Sequence, residues 1–179
     1  MPKKTLDLDW LITEYMPFFS EFGMTEENVR GYYETWSKNR PALIKDYLWF
    51  IFQSLLYESA KQSKTEQELY KYQNMIYMEM LWFRRKVEKV KANEILQLAL
   101  ASLVRKTISE TNLQLKVEII SGNCCPYCDN LNQQMFFSED VLKNQYLGSR
   151  DCTNPKGCHC TYAFVPMRDE DAKLLSSFS

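Results

Sequence analysis

Six cysteines are confined to the stretch from Cys124 to Cys160 of a 179-residue chain. They run as Cys124, Cys125-Pro126-Tyr127-Cys128, Cys152 and Cys158-His159-Cys160. Cys-x-x-Cys suits a metal, because a tight turn aims both sulfurs at one point, and zinc takes about four such ligands in a tetrahedron. Cys158-x-Cys160 supplies a second half. The expected site is one structural zinc ion, Zn2+, held by Cys125, Cys128, Cys158 and Cys160. A competing arrangement puts Cys152 in place of one of the last two, and His159 is a sixth candidate ligand. The residues alone leave these alternatives open. Cys124 is expected to pack or stay free, since adjacent side chains diverge. Disulfides and buried reduced thiols are the other readings of such a cluster. A disulfide framework is usually spread along the chain, whereas the first 123 residues here have no cysteine.

Other chemistry has little to work with. His159 is the one histidine, so Ser-His-Asp or Cys-His catalysis would have to use a residue between two expected metal ligands. A zinc enzyme keeps an open coordination position and a nearby acid or base. A cysteine-only site is closed, so the chain is expected not to be an enzyme. The run Arg84-Arg85-Lys86, continuing to Lys89 and Lys91, and later Arg105-Lys106, concentrates positive charge. With Glu88 and Glu94 interspersed it reads first as a solvated helix face. Phosphate contact is its functional alternative.

The elements that would position the cysteines follow from periodicity. Leu6 to Phe22 has helical apolar spacing and a stop at Gly23. Thr25 predicts an N-cap, with Glu26 and Glu27 at the favourable end of the helix dipole, for a helix to about Trp36. Pro41 suits the first turn of the next helix, which runs to about Ala60. Ser63-x-x-Glu66 and Thr65-x-x-Glu68 are overlapping capping boxes, opening a helix to about Val90. Another covers about Ala92 to Glu110. The period then changes. Leu113, Leu115, Val117 and Ile119 alternate with Gln114, Lys116 and Glu118, which predicts a strand with one wet face. Ser121-Gly122-Asn123 turns into the cysteines. Gln134 to Phe137 predicts a short strand. A short helix begins near Ser138 and ends near Leu147-Gly148, and a last strand spans Thr161 to Val165. The tail beyond Met167 is polar.

The expected fold class is therefore α+β: a mainly helical domain of about four to five helices over 1–112, a small zinc-stabilised β module over 113–167, and a polar tail over 168–179. Hydrophobic residues make up 45% of the chain and the formal net charge is -1, so no global basic field gathers nucleic acid or an anionic membrane. The opening MPKKTLDLDW lacks the apolar core of a secretory signal. The most apolar run, Tyr47 to Tyr57, is too short to span a bilayer and is interrupted by Gln53. A cytoplasmic chain without a membrane partner is expected.

The C-terminal stretch resembles the end of phage head-morphogenesis proteins, the minor capsid or Mu F-like family. The resemblance rests on the strand Lys116–Ile120, the pair Cys125 and Cys128 followed by Asp129 to Phe136, and the ending Asn154-Pro155-Lys156-Gly157-Cys158-His159-Cys160-Thr161-Tyr162. The family's histidine before Cys-x-Cys is absent, leaving Cys152 as a candidate for its role. His159 stands where arginine is usual, and Asn132 where glycine is. The resemblance implies a structural, non-enzymatic assembly role in a phage or prophage particle, with capsid or portal components or further copies of the chain as partners, and a virion-associated location. The alternative is a zinc-containing nucleic-acid-binding or regulatory protein; a metal-dependent enzyme stands third.

Overall fold

A computed structural model describes residues 6–38, 40, 43–123 and 125–177. The expectations for Pro41 and Cys124 fall outside the described residues. Among the described residues, seven helices and a three-stranded antiparallel sheet make an α+β fold, with five of the helices before the first strand, as expected. Among the described residues no helix is long and apolar enough to cross a membrane.

The chain divides into two compact units, Met1–Glu58 and Ser59–Ser179. This differs from the expected break at residue 112. The fourth and fifth helices belong with the cysteines rather than with the first three helices, because their apolar faces supply one wall of the cysteine-containing core.

The first unit is built from α1 (Leu8–Ser20), α2 (Glu26–Ser37) and most of α3 (Ile44–Gln62). Asp7 caps α1 by accepting from the Trp10 amide at 2.8 Å. Gly23, at φ +71°, lets the chain turn out of it, as its sequence position predicts. Thr25 caps α2, and its capping box closes with Asn28. Helical spacing places Trp10, Leu11, Tyr15 and Phe19 on the buried side of α1, and Tyr47, Leu48, Ile51 and Phe52 are buried from α3. Tyr15 meets Phe52 edge-on at 6.0 Å between centroids, and Tyr33 meets Tyr47 edge-on at 5.0 Å. Such aromatic pairs add about 0.5–1.5 kcal/mol each beyond area burial. The Tyr47 hydroxyl donates to the Val29 carbonyl at 2.6 Å, so its polar tip is satisfied inside the core.

In the second unit, Thr65 caps α4 (Glu66–Lys86) by accepting from the Glu68 amide at 3.1 Å. Glu68 accepts in return from the Lys64 amide at 2.9 Å. α4 ends four residues before the expected Val90: the amides of Val87 and Glu88 both bond to the Phe83 carbonyl, and Lys89 turns to φ +60°. The chain reverses through 87–92 into α5 (Asn93–Ser109). Asn74 of α4 ties the pair together, donating to the Ala99 carbonyl at 3.0 Å.

The sheet has the order β2-β1-β3, with β1 (Leu115–Ile120) central between β2 (Met135–Phe137) and β3 (Thr161–Pro166). Val117 pairs with Phe136 on one side and Phe164 on the other. Period-2 alternation then sends Val117 and Ile119 inward and leaves Met135 and Phe137 exposed. Leu113 stands outside the ladder it was expected to open; it bridges to Ser176 instead. The tail is consequently ordered through Ser177, whose amide donates to the Asn112 carbonyl at 2.7 Å. Two short helices, α6 (Pro126–Asn130) and α7 (Ser138–Asn144), complete the unit. Its core joins Leu81, Leu96, Leu100 and Val104 of the helical pair to Val117, Ile119 and Tyr162 of the sheet and to five cysteines.

Candidate metal centre

The first pair of sulfurs is aimed by α6. Cys125 precedes that helix in extended conformation, Pro126 occupies its first turn, and Cys128 lies one turn on. Proline at this position loses no hydrogen bond and presets the helical φ, so the turn is fixed by its own sequence. The other three cysteines arrive on the long connection from α7 to β3. Cys152 is in its middle, while Cys158 and Cys160 immediately precede β3. β1 and β3 are neighbours, so the end of that connection is delivered beside the turn that follows β1.

All five described cysteines are buried and none forms a disulfide. Their sulfurs form two triangles that share Cys128: Cys125, Cys128 and Cys152 in one, Cys128, Cys158 and Cys160 in the other, each within 4.8 Å. Two edges are shorter. Cys125 and Cys152 lie 3.7 Å apart, as do Cys128 and Cys158. A tetrahedron of sulfurs around an ion at a bond length of about 2.3 Å has edges of about 3.8 Å. The two close pairs already have that spacing. The buried cluster could therefore hold a metal ion.

Backbone amides point at the sulfurs. Cys125 receives those of Cys128 and Thr153, Cys152 that of Asn154, and Cys158 those of Cys160 and Gly148. The Gly122 amide donates to the Cys160 sulfur at 3.3 Å. Amides aimed at sulfur favour thiolate over thiol and are the usual outer shell of thiolate metal sites. At Cys125 burial pushes the thiol up, but these amides and neighbouring thiols outweigh it and pull it down to about 7. Burial pushes Cys158 up to about 12, and raises Cys128 and Cys152 as well. A cluster that keeps most of its protons when bare must release them as it takes an ion.

The four expected ligands lie in one buried cluster with Cys152, but Cys125 is grouped with Cys128 and Cys152 and not with Cys158 and Cys160. His159 lies outside the cluster: its side chain is exposed and belongs to neither sulfur group. Partial burial lowers its pKa, and so do the charges of Arg85, Lys156 and Lys86. The basic run is only partly a solvated face. Arg84 pairs with Glu88 at 2.6 Å. Arg85 donates to the Cys158 carbonyl, and Lys91 to the Cys152 carbonyl at 3.4 Å. Asn93, the first residue of α5, accepts from the Cys158 amide at 3.0 Å. These three contacts span more than sixty residues of sequence, so no local pattern marks them. Compared with known protein families, curated proteins and solved structures, the chain matches none.

Proposed function

We propose that the thiolate cluster holds one zinc ion as a closed structural site, and that the chain is a non-enzymatic assembly protein. The spacing of the sulfurs carries the zinc reading: two pairs at 3.7 Å, buried and met by backbone amides. The ligands that this spacing favours are Cys125, Cys128, Cys152 and Cys158. This is the arrangement in which Cys152 takes a place otherwise assigned to Cys160. Cys160 is then a fifth thiol, held by the Gly122 amide. Burial of the cysteines supports a structural role over a catalytic one, since a catalytic zinc keeps a position open to water or substrate. The assembly role rests on the resemblance to phage head-morphogenesis proteins. It is supported by the order of strand, Cys-x-x-Cys, long loop, Cys-x-Cys and paired strand, with β1 and β3 antiparallel.

Elemental analysis of the reduced full-length protein, purified without chelator, tests the site. One zinc per chain is expected. Cys152→Ser should abolish it and Cys160→Ser should keep it. The reverse pattern would restore the set of Cys125, Cys128, Cys158 and Cys160, and metal-free protein would remove the site. For the assembly role, purified portal and capsid proteins encoded beside this chain should co-elute with it at moderate salt. Retention on DNA without such association would favour the nucleic-acid reading.

A further inference from the structure

We infer that Arg85 and Lys91 are the outer-sphere cations of the metal centre, offsetting charge that its thiolates concentrate in the core. The inference rests on the zinc reading above. Four thiolates around one divalent ion leave a net charge of about −2 in the first shell. Here that charge would sit among buried cysteines, packed against Leu96, Leu100 and Tyr162. An uncompensated charge in such surroundings is costly, and a cation nearby removes much of the cost.

Two cations are placed to do this. Arg85, in the last turn of α4, donates to the carbonyl of Cys158. Lys91, just before α5, donates to the carbonyl of Cys152. Arg85 precedes the connection 87–92 and Lys91 lies near its end, and they reach the backbone of two different proposed ligands on the long loop. The same connection is locked against that loop. Gly148 and Gly157 have φ of +69° and +91°, and a Cβ on either would stand 2.9 Å from the Asn93 carbonyl oxygen or 3.1 Å from its side-chain oxygen. Asn93 also accepts from the Cys158 amide. The loop therefore approaches the start of α5 closely, which brings the proposed ligands beside the two cations.

Simple anchoring of the loop would depend on hydrogen bonds and not on charge, which separates the two roles experimentally. Zinc affinity of the reduced full-length protein would be measured by competition with a chromophoric chelator. Arg85→Gln and Lys91→Gln keep a donor and lose the charge; each is expected to weaken binding, with the pair losing about tenfold to a hundredfold. Arg85→Lys and Lys91→Arg should stay within about threefold of the parent, well short of that loss. High salt should narrow the gap between Lys91→Gln and the parent, because screening acts on exposed charge. Glutamine variants that bind like the parent, or a gap unmoved by salt, would overturn the inference. Should Arg85→Gln fail to fold by circular dichroism, Lys91→Gln alone decides, since Lys91 is exposed. A parent protein that takes no zinc would defeat the zinc reading itself, a result distinct from any of these.

Discussion

The two units solve the same problem with different materials. The first closes its core with rings: Trp10, Phe19 and Phe52 pack on Tyr15, and Tyr47 packs on Tyr33 and Trp36. The second buries mainly aliphatic side chains and gathers its five described cysteines at the centre. Aromatic surface is removed from water wherever it packs, so such a core needs nothing beyond the chain. Buried thiols are small hydrophobes, and several of them are held protonated by burial first and by neighbouring thiols second. A core centred on them becomes strong when an ion ties them together. Chelation should accordingly unfold the second unit and spare the first.

The largest effect is expected from Cys128→Ser. Cys128 belongs to both sulfur triangles, so neither survives without it. Structural zinc supplies about 10–16 kcal/mol of apparent binding energy to small sites, comparable to a domain's whole stability. The variant should bind no zinc and lose protection from hydrogen exchange across α4, α5 and the sheet. The aromatic near-ultraviolet dichroism of the first unit should persist. Loss of that signal as well would mean that the units do not unfold separately. Phe52→Ala comes next. It should cost about 3–5 kcal/mol by denaturant titration of the first unit and leave zinc stoichiometry unchanged.

Tyr47→Phe is the smallest. It removes the hydroxyl's bond to the Val29 carbonyl, which α2 still pairs, and should cost about 0.5–1.5 kcal/mol. It also has a pH signature. Burial raises the Tyr47 pKa, with smaller contributions from Tyr32 and Tyr33. The unfolded chain therefore loses this proton first. The stability Tyr47 contributes is fully present below the ordinary tyrosine pKa of about 10 and drains away as pH rises above it. The gap between parent and Tyr47→Phe should shrink above about pH 10; a constant gap would show that the hydroxyl is not buried in solution.

Local chemistry made most of the elements legible. Thr25 and Thr65 announce two helices because a cap is a contact between residues three apart, and β1 announces itself by strict alternation. What failed was long-range. Leu113 reads as strand but is claimed by Ser176, and the polar tail is held in place by backbone bonds that polarity does not reveal. α4 stops at Lys86 without glycine or proline to mark it. The helix α6 was signalled by Pro126, yet Cys-x-x-Cys reads more naturally as a turn. The cysteines themselves could be picked out by type and clustering. Their division into two triangles could not, because it depends on how β1 and β3 bring two distant segments side by side. Nor could the roles of Arg85, Lys91 and Asn93, whose basic or polar character is equally suited to a solvated helix end.

The placement of Cys152 and Cys158 late in the chain has a consequence for synthesis. Domains form in order as the chain leaves the ribosome, and the first unit is complete once its 58 residues have emerged. The paired helices α4 and α5 emerge next with Leu81, Leu96, Leu100 and Val104 on a face that has nothing yet to cover it. Only when the segment through Tyr162 is free can the last strand and its thiols close over them. During that interval the nascent chain presents a greasy helical hairpin to whatever chaperone is at the exit tunnel, and a metal ion finds only the Cys125–Cys128 pair until Cys152 follows.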